Sequence, residues 1–387
     1  MKASIYLLVV SAAILTWSLR GLSSQNTVER PYNPDADSLR FTGELHLRNI
    51  RQLTFGGNNA EAYWRQDDQL LVFQSDWQAI NPQGCDQIYI MRPDGQPLED
   101  GLQYRRVSTG KGRTTCAYFL PDSRIIYAST HGASPECPPV TMQAEGRYVW
   151  PIYDSYDIYV TDIYGKQTEL YIGGPGYDAE ATVSPDGRYV VFTSTRSGDL
   201  ELWRYDRETG EYLQLTHELG YDGGAFFSPD SKMIVWRASR PKGKEAEVYK
   251  KLLAQGLVEP SALNIFVSDI EGKQVRQVTH LPGANWAPFF HPSGKKILFV
   301  SNHHTLQEGG RLFDIFMINL DGTGLEQITH SGTFDAFPMF SFDGKKLVFA
   351  SNRNVERVPT RDTNIFVADW VEYPTAVDSA FVSWNER

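Results

Sequence analysis

The chain has 387 residues, enough for one large domain or two ordinary ones, so length alone decides little. Aromatic residues make up 13%, Gly numbers 32 and Pro 21, and charged residues are only 22%, which is the balance of an all-β protein with short strands and tight turns. A formal charge of −10, with basic patches no longer than Lys242–Lys244 and Lys250–Lys251, argues against a nucleic-acid partner, because phosphate binding needs clustered Lys and Arg.

In chain order, residues 1–24 come first. Lys2 gives a positive start, Ile5 to Leu15 is almost wholly apolar, and small residues stand at Gly21, Ser23 and Ser24. This is the pattern of an export signal, cleaved in preference to kept. If kept, the apolar stretch Ala3–Leu19 sits at the lower limit for a membrane span and would be the tie to a membrane. The expected location is therefore periplasmic or secreted. Residues 25–47, with Pro31, Pro34 and several Asp, read as a linker. A lone strand, Arg48–Thr54, follows and ends in Gln-Leu-Thr.

A repeat then occupies most of the chain. Its clearest copy begins at Ala181 and runs through Ser184-Pro-Asp-Gly into Tyr189-Val-Val-Phe; others begin at Ala225, Pro288 and Pro338, with weaker copies at Tyr63–Ser75 and Tyr118–Thr130. Each holds a short apolar strand, a Pro-Asp-Gly type turn and a second apolar strand. A third strand follows, such as Asp157-Ile-Tyr-Val, and a fourth ends in Gln-Leu-Thr or a variant such as Gln277-Val-Thr. Six units of four antiparallel strands predict a six-bladed β-propeller over residues 48–371, because one blade cannot bury both faces and stacking around an axis can. The sixth unit supplies only three strands, so Arg48–Thr54 is expected to complete the last blade and close the ring. Residues 372–387 are left as a tail.

The Ser-Pro-Asp-Gly, Ile-Tyr-Val and Gln-Leu-Thr elements resemble the repeats of the TolB propeller, a periplasmic component of the bacterial Tol–Pal envelope system. Similar repeats accompany prolyl-oligopeptidase-type peptidases, tricorn-like proteases and oligogalacturonate lyases, so the resemblance implies a fold and not a function. Only the linker stands where TolB carries an α/β domain. The segments Gly112-Arg-Thr-Thr-Cys and Ala284-Asn-Trp-Ala-Pro-Phe-Phe look like those of stand-alone exported bacterial members.

One face collects the irregular chain. The second unit inserts His131–Tyr156 and the fourth Arg240–Leu263, both between second and third strands, and insertions confined to one face mark a binding face. The second insertion predicts a helix over Glu245–Gln255, which would lie over the channel as a lid or pack on the rim. Asn59, Thr114, Asp178, Asp222, Asn285 and Asp335 precede the innermost strands at equivalent positions and are expected to ring the channel mouth, with Cys116, Glu180 and Phe337 two residues later. Such a ring either satisfies free backbone groups or binds a sugar, a peptide or a cation. No cofactor is demanded; calcium or a transition metal at the mouth is the ion such a ring would take, although no His/Asp spacing identifies one. Arg113 and Arg237 are candidate ligand-binding guanidiniums, whereas Arg196 and Arg353 are expected to pair with an Asp of a neighbouring blade. Trp286 and Phe337 would offer aromatic platforms. Of Cys85, Cys116 and Cys137, the first and last are expected to form a disulfide between adjacent blade loops, leaving Cys116 free at the mouth.

Peptidase elbows, zinc-peptidase helices and phosphate loops are missing from the sequence. The leading expectation is thus a non-catalytic propeller binding a protein segment or polysaccharide of the cell envelope. The alternative is a small hydrolase or lyase using His131, Asp178, Glu180 and Arg237 at the channel mouth.

Overall fold

The computed structural model describes residues 37–354 and 360–372. The expected export segment 1–24 lies outside the described residues, as does the tail beyond Glu372. Six four-stranded antiparallel sheets are arranged as a propeller. Their innermost strands are Asn59–Trp64, Thr114–Phe119, Asp178–Val183, Asp222–Phe227, Asn285–Phe290 and Asp335–Phe340. The second strands read as continuous apolar runs rather than alternating ones, because neighbouring blades cover both faces. Val190, Val191, Phe192, Ile234, Val235 and Trp236 are all fully buried in this way.

The turn chemistry explains the Pro-Asp-Gly signature. In the third blade the Ser184 hydroxyl donates to Asp186 at 2.5 Å, and Asp186 accepts the backbone N–H of Arg188 at 3.0 Å. The residue after the Asp then turns left-handed: Gly187 has φ +77°, and Ser231 takes the same region at +59° in the fourth blade.

The ring closes as the repeat count requires. Leu47–Gln52 pairs antiparallel with Asn364–Trp370, placing Leu47 opposite Trp370 and Gln52 opposite Phe366. The expected linker is a different matter. Its described part, residues 37–46, is packed rather than loose, because Glu44 is wholly buried and accepts from Arg353 at 2.9 and 3.1 Å. Arg353 also donates to Asp335 at 3.0 Å. A buried carboxylate without that guanidinium would be very costly, so the segment is held against the sixth blade.

The two insertions join above the channel. Trp150–Pro151 of the first pairs with Leu257–Val258 of the second, and Arg147 of the first reaches Glu259 at 2.6 Å. The helix, Lys244–Leu253, buries Ala246, Tyr249 and Leu252. Leu252 packs on Val149 and Leu257, so the helix backs this cap and does not itself face the channel. A disulfide between Cys85 and Cys137 ties the first insertion to the first blade. Among the described residues no helix is long and apolar enough to cross a membrane.

Candidate functional site

Each innermost strand slips register once, between its second and fifth residues. The extra residue of each bulge is left-handed: Glu61 (φ +54°), Cys116 (+49°), Glu180 (+58°), Gly224 (+59°), Ala287 (+45°) and Phe337 (+54°). These six residues line the capped end of the channel. With Trp150, Tyr153 and Ile152 of the cap above them, they help enclose a cavity of about 460 Å³. Met142 and Tyr148 stand exposed at its rim. Two residues beyond the bulge, four of the six strands carry an aromatic ring that closes the channel, and the other two carry Thr182 and Met339. Tyr63 lies 5.3 Å from Tyr118 and 5.8 Å from Phe226, and Phe226 lies 5.2 Å from Phe289. A smaller apolar hollow of about 170 Å³ remains on the far face.

Charge in the cavity is concentrated on one side. Glu180 accepts from Arg237 at 2.5 Å, from the Tyr221 hydroxyl at 2.7 Å, from Thr193 at 2.7 Å and from the Gly224 N–H at 3.0 Å. Burial alone would raise its carboxyl, but Arg237 and these donors outweigh that and hold it below the usual range. Gly224 is glycine for a visible reason: a Cβ there would overlap the Arg237 guanidinium. Glu61 is in the opposite condition. Burial, reinforced by nearby Glu180, pushes its carboxyl up to about 7 against a hydrogen bond from Cys116 and the pull of Arg237. Burial likewise pushes the Cys116 thiol well up, so it stays neutral. At the edge, Asp86 pairs with Arg113.

The residues named from sequence divide into two groups. Glu180, Arg237, Arg113, Trp286 and Phe337 all line the cavity. Asp178, Asp222, Asn285 and Asp335 do not; they begin their strands fully buried and bond within their own blades. Asp178 accepts from Arg196 at 2.8 Å, Asp222 from Arg240 at 2.7 Å and from Trp236 at 2.7 Å, and Asn285 from Ser301 at 2.6 Å. The arginines therefore pair with the Asp of their own blade, not of a neighbour, because antiparallel pairing sets the end of the second strand beside the start of the first. Asn59 and Ser75 repeat the arrangement at 2.8 Å. His131 also lies outside the cavity wall. It is bonded to Ser129 at 2.8 Å and its ring lies 4.1 Å from that of Tyr159, so it does not converge with Glu180 and Arg237. Among the described residues no three His, Cys, Asp or Glu side chains are grouped to hold a metal ion.

Sequence reasoning missed Glu61 and the cap residue Trp150. Glu61 had a signal, since it stands in the first copy where Glu180 stands in the third.

Residues 251–357 match the family model of the TolB beta propeller domain. Among solved structures, a protein of Agrobacterium tumefaciens described as TolB superposes with a TM-score of 0.51 at 17% identity, over 84% of this chain and 97% of that one. A gluconolactonase of Xanthomonas campestris gives 0.52 at 15%, over 89% and 99%. An oligogalacturonate lyase of Vibrio parahaemolyticus gives 0.47 at 12%, over 84% and 94%. At such identities the likeness concerns the fold alone. No curated protein matches the chain in sequence.

Proposed function

We propose that this propeller of TolB type is an exported binding protein that takes a compact ligand, or the end of a protein segment or envelope glycan, into the capped end of its channel. The cap carries this reading. Two insertions from different blades meet by strand pairing and partly roof a cavity of about 460 Å³, within the range of small-molecule sites. A flat docking face for a folded partner needs no such roof. The Cys85–Cys137 disulfide supports an oxidising compartment, in keeping with a periplasmic or secreted location.

The test is a thermal-shift and tryptophan-fluorescence screen of the full chain with mono- and disaccharides, uronic acids, amines and dipeptides. A true ligand at a hundred times its Kd should add about 2.7 kcal/mol of stability, and should change the emission of Trp150 and Trp286, which both line the cavity. Binding only of an intact protein, unaltered by Trp150→Leu, would sink the reading.

Glu61 favours a second reading. A carboxyl pushed up to about 7 inside a cavity is suited to give or take a proton near neutral pH, as general acid–base catalysis requires. That reading expects a bound ligand to be turned over, with Glu61→Gln abolishing turnover while binding survives. The catalytic set would then be Glu61 with Glu180 and Arg237, and not His131 or Asp178.

A further inference from the structure

The charges facing the cavity do not balance. Arg237 is held by Glu180 and by the Tyr221 hydroxyl. Arg113 is held by Asp86. Each guanidinium is thus already neutralised by a carboxylate, and although Arg113 and Arg237 each keep an unpartnered Nε–H, an anion would have to share its cation with that carboxylate. Glu61 is the carboxyl left over. Among the described residues it has no ion-pair partner, and its protein donors are the Tyr63 hydroxyl at 3.3 Å and the Cys116 thiol, both weak at that length or by nature.

The surrounding wall is aromatic. Trp150 of the cap meets Trp286 of the fifth blade edge-on at 6.3 Å, and Trp286 meets Phe337 at 5.0 Å. Tyr177 and Phe334 complete the lining near them. The face of an aromatic ring attracts positive charge, and here one already does so: the Arg237 guanidinium lies 5.7 Å from the centre of Trp150.

We infer that the cavity is built for a compact organic ammonium, its charged nitrogen set against Glu61 and its apolar body against Trp150, Trp286 and Phe337. The inference rests on the compact-ligand reading above and names its chemical class. Burial keeps a proton on Glu61 until about pH 7, and an ammonium beside it would favour the carboxylate, supply its countercharge and gain from the aromatic rings nearby. An anion would add a further negative charge beside Glu180. A neutral polyol would leave both the aromatic faces and Glu61 with less than a cation gives them.

Calorimetry and tryptophan fluorescence on the full chain test this with charge-matched pairs: benzylamine against benzyl alcohol, choline against 3,3-dimethylbutan-1-ol, and benzoate as the anion. Each cation is expected to bind at least about tenfold more tightly than its neutral partner. Glu61→Gln should erase that preference, so that each cation and its neutral partner then bind alike. Trp150→Leu lies in the cap, outside the blades, and should weaken choline about threefold or more. Comparison of benzylamine with choline separates N–H donation to Glu61 from the aromatic contribution. If the alcohols or benzoate bind as tightly as the amines, or if Glu61→Gln keeps the preference, the ammonium assignment is overturned while the compact-ligand reading stands. If sugars bind and amines do not, the assignment alone falls. If neither these compounds nor the wider screen binds, both readings fall.

Discussion

The first residues of the six innermost strands and the residues two positions further on are close neighbours in the chain, yet they serve different ends. Asp178, Asp222 and Asp335 turn into their blades and neutralise Arg196, Arg240 and Arg353. Glu61, Cys116, Glu180 and Phe337 turn into the channel. Both sets contain carboxylates, so the presence of a carboxylate does not separate them. The bulge does, by adding a left-handed residue whose side chain leaves the alternation of the strand. A carboxylate at this propeller's mouth is thus a blade fastener at the strand's first residue and a cavity wall at the bulge, whereas Thr114 lines the cavity from the first position.

The largest test of this contrast is in the fastening set. Arg353→Met would leave Glu44 and Asp335 buried without their cation, and urea unfolding should show a loss of about 3–5 kcal/mol with the cavity's own residues untouched. Gly224→Ala strikes the cavity set instead. It places a Cβ against Arg237 at a left-handed backbone position, so stability should fall by roughly 1–3 kcal/mol, and ligand titrations should weaken more than the stability loss alone explains.

A pH series sharpens the comparison further. Glu61 has a folded value of about 7, above its unfolded one, so the folded state keeps a proton that the unfolded chain releases. Stability from this group is therefore full at low pH and is lost as pH rises from the ordinary glutamate range through about 7, with a slope of at most about 1.4 kcal/mol per pH unit. Glu201 and Asp314, each pushed up mainly by burial to about 8, act in the same direction. Glu61→Gln should flatten the profile between pH 5 and 7 in chemical denaturation, and an unchanged slope would mean that Glu61 is not the group held there. The smallest effect is expected at His131. His131→Ala should cost about 1 kcal/mol or less, the worth of one hydrogen bond and a ring contact, and should leave ligand titration as it was. A weakened titration would place His131 in the site and undo the division.

Most of the architecture was legible because a propeller repeats its grammar. The Pro-Asp-Gly turns, the Gln-Leu-Thr endings and the unpaired strand at Arg48–Thr54 are local features with one geometric solution once stacked. The site was legible only in part. Repeat alignment brought Asn59, Asp178 and Asp222 together correctly as equivalents, but could not tell into which space they point, since a bulge on Glu, Cys, Ala or Phe leaves no compositional mark. Gly224 was the one hint that a left-handed residue belongs there. The insertions were visible as excess length, whereas their meeting through Trp150–Pro151 and Leu257–Val258 depends on residues more than a hundred positions apart. The segment 37–46 misled for a related reason: its Pro-rich approach and acidic residues suggest a tether, whereas the distant Arg353, with the His330 N–H, compensates the buried Glu44.

Because Leu47–Gln52 pairs with Asn364–Trp370, the first strand of the ring to leave the ribosome is the last to find its neighbour. At about 5–20 residues per second, the wait amounts to tens of seconds of synthesis, through which that strand stays open. A ring latched in this way resists completion in pieces and is finished only when the whole length is delivered to one place. Until then the waiting strand of one copy lies within reach of another.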